Sequence, residues 1–236
     1  MFSPMTPIEI VQQAVANPNR FQEIACQLSE FAPDFEATRW LCQAYRAGQV
    51  TAAEAAYLLG LLRHAAGYDT AKEILQGNFR HASEKYAGEA MFLIRGQDAY
   101  HDLRSLMLEH PHILVRQGAA SGLALFHTAD IVPDFLQAFY EGKLWPKDVA
   151  FHVAGCHPSE EQLLSLLLAE DEQAQALGLH IVEPLIAAEN LPHCPGEPVK
   201  KEVARLLAAP AFRPKRKHVR SLYLWATGQK TLRNNY

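Results

Sequence analysis

The feature that most limits what this chain can become is a helix, tight turn and helix that recur at about 30-residue intervals. The clearest instance runs from Asp98 to Tyr140. In its first helix Tyr100, Leu103, Leu106 and Met107 fall three or four apart and make one apolar stripe. His110-Pro111 then interrupts the helix. A residue before proline is pushed out of the helical region, and proline suits the first position of a new helix. The second helix carries Val115, Ala119, Leu123 and Phe126, with Ala119, Ala120, Ser121 and Gly122 keeping its flank small. Neither helix can bury its stripe alone. Stacked on copies of the hairpin, both can.

From residue 69 the recurrence reads regularly. Pairs start at Thr70, Asp98, Asp130 and Ser159, which are 28, 32 and 29 residues apart. Their second helices begin near His81, Pro111, Pro146 and Asp171 and place Ala87-Gly88, Ala119-Ala120, Val149-Ala150 and Ala176-Leu177 on comparable faces. Residues 1–68 read as helical with a different spacing, a divergent N-terminal cap on residues 69–190. Thr6-Pro7-Ile8-Glu9 and Thr51-Ala52-Ala53-Glu54 are capping boxes that open helices. A helix is predicted over Arg20 to Phe31, another after Pro33 as far as Gly48, and the one after Thr51 is predicted over Ala55 to Ala66. Residues 191–236 read as an irregular, basic C-terminal helix pair. Pro192, Pro195, Gly196 and Pro198 precede a helix over Val199 to Ala209, and a last helix over Lys215 to Ala226 stops at Gly228. No stretch alternates as a half-buried strand does, so the expected class is all-α.

The run L-V-R-Q-G-A-A-S-G-L, Leu114 to Leu123, resembles the second-helix signature of HEAT repeats, and the resemblance extends over roughly Asp69 to Gly228. A second Val-Arg pair stands at Val219-Arg220, while Gln175 and Lys147 fall near the arginine position in other repeats. The resemblance implies a right-handed α-α superhelix, a HEAT-like or armadillo-type solenoid of stacked antiparallel helix pairs in a single domain. It also implies a curved surface whose partners are proteins or peptides. The implied function is a non-enzymatic interaction scaffold or adaptor, of an immunity or assembly type. Candidate binding residues on second helices are Arg116, Gln117, His152, His180 and Glu183, and Trp145 beside Pro146 is a candidate anchor.

Composition fits a globular chain, 49% hydrophobic and 20% charged. The opening M-F-S-P-M-T-P lacks a basic segment followed by an apolar run, so no signal peptide is expected. Apolar runs such as Leu166 to Ala169 are too short for a membrane span, and no membrane partner is expected. Four cysteines without a C-x-x-C pair suggest reduced thiols, and the expected location is the cytoplasm. The net charge of −4 is split. Residues 200–236 hold ten Lys/Arg against Glu202 alone, a balance of +9 that leaves −13 in residues 1–199. Lys215, Arg216, Lys217 and Arg220, with Tyr223 and Trp225 beyond, therefore support an alternative, nucleic-acid binding like that of HEAT-like DNA glycosylases.

Signals for catalysis are few. No G-x-S-x-G and no phosphate-cradling G-x-x-x-x-G-K-[ST] or G-x-G-x-x-G occurs. HEAT-like di-iron proteins such as deoxyhypusine hydroxylase use His-Glu pairs, and this chain has no His-Glu dipeptide. Cys156-His157 and His193-Cys194 together form a zinc-type donor set on two loops. Their 36-residue separation matches no short-range zinc motif, so the expectation is no metal, no cofactor and no catalytic residue.

Overall fold

A computed structural model describes residues 5–77, 81–187, 195–209, 212 and 222–228. Among them there is no strand, and the all-α class expected from the sequence holds. The chain divides into two compact units, Met1–Phe126 and His127–Tyr236.

The first unit holds α1 (Pro7–Ala16), α2 (Phe21–Ala25), α3 (Phe35–Arg46), α4 (Ala52–Leu62), α5 (Tyr68–Gly77), α6 (His81–Arg95), α7 (Tyr100–Glu109) and α8 (Ile113–Ala124). The capping boxes form as predicted. Glu9 accepts from the Thr6 backbone N–H at 2.8 Å, and Glu54 and Thr51 exchange bonds of 3.0 and 3.3 Å, so orphan donors at both helix starts are satisfied. Consecutive helices α3–α4, α5–α6 and α7–α8 pack as hairpins, and the second helices pack on one another in order, α4 on α6 and α6 on α8.

The α6–α8 contact is made by backbone. A Cβ added to Gly88 would fall on the Gly118 carbonyl oxygen, one on Gly118 would meet the Glu84 carbonyl, and one on Gly122 the Gly88 carbonyl. Ala87, Ala90, Ala119 and Ala120 are fully buried beside these glycines. The small flank read from the sequence thus lets two helices touch without intervening side chains.

Two helix bounds differ from the sequence reading. The helix after Thr51 begins at Ala52 and ends at Leu62, because Arg63 adopts a left-handed conformation with φ 50°. Ala65 and Ala66 are good helix formers, but the chain must turn there to seat Tyr68, which is 1% exposed. Tyr68 Oη donates to Asp102 Oδ2 at 2.8 Å, Lys72 Nζ donates to Oδ1 at 3.0 Å, and the Arg95 guanidinium lies 3.7 Å from the Tyr68 ring centroid. The predicted helix Arg20 to Phe31 is α2 followed by a 3-10 segment over Cys26–Glu30, where Ser29 Oγ bonds back to the Cys26 carbonyl at 2.7 Å.

The second unit holds α9 (Val132–Tyr140), α10 (Pro146–Gly155), α11 (Glu160–Leu167), α12 (Glu172–Ala187) and α13 (Glu197–Ala208). α9 packs on α10 and α11 on α12; across hairpins α10 meets α12 and α11 meets α13. Ser159 and Gln162 form the capping box of α11 at 2.8 and 3.1 Å, and Gln162 Nε2 also donates to the Ala129 carbonyl at 3.0 Å. Only the end of the predicted last helix is described: residues 222–226 are helical and Gly228, at φ 69°, stops them.

The repeat is most regular at a point the sequence does not mark. Each second helix from α4 to α10 is followed by one left-handed residue: Arg63 (φ 50°), Gly96 (φ 56°), His127 (φ 50°) and His157 (φ 55°). Successive positions differ by 33, 31 and 30 residues (63, 96, 127, 157).

Candidate functional site

The second unit displays large apolar side chains at its hairpin turns. Gly142, at φ 65°, lets the chain leave α9 and return at once, with Lys143 N–H donating to the Ala138 carbonyl at 2.8 Å. Leu144, 3% exposed, plugs the turn into the core. The next residue, Trp145, caps α10 with Pro146 at its first position, so its ring is carried outward and is 55% exposed. Tyr140, at the end of α9, is 59% exposed. At the α11–α12 turn Leu168 is 57% exposed, and Asp171 caps α12 by accepting from Gln173 and Ala174 N–H at 3.0 and 3.1 Å. Partial burial, and then the Asp171 charge, push the Tyr140 phenol above its ordinary pKa. Tyr140, Trp145 and Leu168 are thus exposed at two successive hairpin turns, whose exposed acids are Glu141, Glu170, Asp171 and Glu172.

Of the described residues singled out in the sequence, Trp145 alone stands at these turns. Phe151, on the outer face of α10, is the most exposed aromatic among the described residues at 71%, and neighbouring His152 is half-buried, stacked on Phe135 at 5.6 Å. On α12 His180 is exposed and Glu183 half-buried. Arg116 is committed to its own hairpin. Its Nη1 donates to the His110 and Pro111 carbonyls at 2.8 Å each, and burial lowers its pKa. Gln117 is buried on α8, so it is a core residue and not the surface position the stripe suggested. Lys215, Arg216, Lys217, Arg220, His193 and Cys194 lie outside the described residues.

Cys156 is fully buried and its thiol is pushed up to about 12 by that burial, so it is a protonated core side chain and no metal-ready thiolate. Among the described residues no group of three or more His, Cys, Asp or Glu could hold a metal ion. A groove of about 370 Å³ between Pro18 and Glu23, beside Glu54, has its polar side occupied by the Arg20–Glu23 ion pair at 2.5 Å. No helix among the described residues is long and apolar enough to cross a membrane.

Sequence reasoning missed Tyr140, Phe151 and Leu168. Each sits within or beside an apolar stripe, where the pattern assigns it to the core. No protein-family model matches the chain, and no curated protein matches it in sequence.

Proposed function

We propose that this protein is a non-enzymatic binding scaffold for a protein or peptide in the cytoplasm, built as a HEAT-like α-α superhelix. Ordered packing of second helices within each unit supports that architecture, as does the left-handed residue that follows four of them. The observation that carries the function is the exposure of Tyr140, Trp145 and Leu168 at two successive hairpin turns, which we take as one binding edge. Three large apolar side chains more than half exposed, rimmed by charge, are what a partner's side chains cover in a hot spot. Replacement of Trp145 by a photo-crosslinking residue in the native host is expected to yield a discrete adduct. The adduct should vanish when Tyr140→Ala and Leu168→Ala are added and persist when the outward Phe151 is changed to Ala. Adduct formation indifferent to Tyr140 and Leu168 would remove the edge as the binding surface.

A further inference from the structure

The two units differ in charge. Residues 1–126 carry thirteen Asp/Glu against ten Lys/Arg, which is close to balance. Residues 127–187, from the start of the second unit to the end of α12, carry ten Asp/Glu against Lys143 and Lys147 alone. The turns that display Tyr140, Trp145 and Leu168 lie in this acidic stretch.

Four of its acids stand at those turns: Glu141 just after α9, and Glu170, Asp171 and Glu172 leading into α12. All four are exposed. Their hydrogen bonds leave the charge uncompensated. Glu141 accepts from the neutral Gln137 amide at 2.8 Å, and Asp171 accepts only from backbone N–H groups. Among the described residues none of the four has an ion-pair partner. The helix that starts after Trp145, α10, packs on the helix that Asp171 caps, α12.

These surroundings select the chemistry of an occupant. Leu168 and the two rings gain by leaving water, so a partner must bring apolar side chains to cover them. Carboxylates at the margin of that contact lose hydration as it forms and need a counter-charge. Exposed indole and phenol faces also attract a guanidinium or ammonium group. A phosphate backbone or an anionic membrane surface is repelled by the same carboxylates. The acids therefore favour a polypeptide over a nucleic acid at these turns.

We propose that the partner segment covering Tyr140, Trp145 and Leu168 is both basic and apolar, with arginine or lysine interspersed among leucine-like side chains. The apolar side chains cover the exposed residues, and the cations pair with Glu141, Glu170 and Glu172. This inference rests on the reading of the two turns as one binding edge.

The test is fluorescence anisotropy of the full chain with three labelled peptides of equal length. One repeats arginine-leucine-serine, one replaces its arginines by glutamate, and one replaces its leucines by serine. Saturable binding is expected for the first alone, weakening as salt is raised. Glu141→Lys, Glu170→Lys and Glu172→Lys combined should weaken it roughly tenfold or more and remove most of the salt dependence. Asp171 is left in place because it caps α12. Trp145→Ala should weaken binding about 30-fold. Glu160→Lys with Glu161→Lys reverses two exposed acids at the far end of α11, about 12 Å away along the helix, and should leave affinity within about twofold. All altered residues are exposed, so thermal unfolding should be unchanged. No saturable binding of the first peptide, equal binding of its acidic counterpart, or an equal loss in the Glu160 and Glu161 variant would overturn the proposal. Loss in Trp145→Ala with the triple variant unaffected would keep the edge and overturn the basic partner. Loss in the triple variant with Trp145→Ala unaffected would remove the edge itself, and this inference with it.

Discussion

The second helices of the two units are closed by opposite means. In the first unit α6 and α8 meet through Gly88, Gly118 and Gly122, each so near a backbone carbonyl of the facing helix that a methyl group has no space. In the second unit α10 buries Val149, Ala150, Val153 and Ala154, and α12 buries Leu177, Ile181 and Val182. Its glycines behave differently: a Cβ on Gly155 meets nothing within 4 Å, and one on Gly178 meets only side chains of Leu166 and Leu167. A backbone contact fixes helix separation rigidly, whereas side-chain packing tolerates small adjustments. The unit closed by side chains is also the one that holds the exposed aromatics Tyr140, Trp145 and Phe151 and the paired histidines at its turns.

Substitutions can break that comparison. The largest effect is expected from Gly118→Ala, since the new methyl collides with the Glu84 carbonyl and with Leu75; about 3–4 kcal/mol should be lost in urea unfolding. Gly155→Ala is the counterpart in the second unit, and it should be neutral or stabilising by roughly 0.5–1 kcal/mol, as helix propensity alone dictates. Equal costs at the two positions would erase the distinction between the units.

A middle-sized effect is expected at the repeated left-handed turn. Gly96→Ala meets no atom within 4 Å, so its cost is purely that of forcing an L-residue to φ 56°, about 1–2 kcal/mol by denaturant titration. A null result would mean that the turn relaxes freely and that the left-handed residue does not enforce the period.

The smallest effect belongs to the polar clasp between α5 and α7. Burial tends to raise the Asp102 pKa, but hydrogen bonds from Lys72 and Tyr68 outweigh it and hold the carboxyl below its usual range. A lowered folded pKa gives stability that is present above the usual carboxylate pKa and is lost as pH falls through the lowered one. Asp102→Asn should therefore cost about 0.5–1 kcal/mol at neutral pH, because the Lys72 pair is a third exposed on each side. The gap between variant and wild type should close on acidification, and an undiminished gap at acid pH would show that packing and not charge sets the clasp.

Much of the fold was legible in the residues. Stripes such as Leu103, Leu106 and Met107, and the caps at Thr6, Thr51 and Ser159, are local patterns, and local patterns name helices and their starts. The helix end at Leu62 was not legible, because burial of Tyr68 against Asp102 overrode the helix propensity of Ala65 and Ala66. The candidate site was read at Trp145 alone. Arg116 and Gln117 lie on the helix flank that a stripe leaves for solvent, yet one closes its turn and the other is buried. His127 carried no sequence signal beyond standing 30 residues before His157.

By itself the sequence determined that the chain is helical and where its hairpins turn, since periodicity and capping act between residues a few positions apart. Tertiary structure decided which stripe residues stay uncovered, which glycines become contact points, and that His127 and His157 stand together. Those outcomes depend on what lies across from each residue in space, and one chain read in order carries no record of its neighbours.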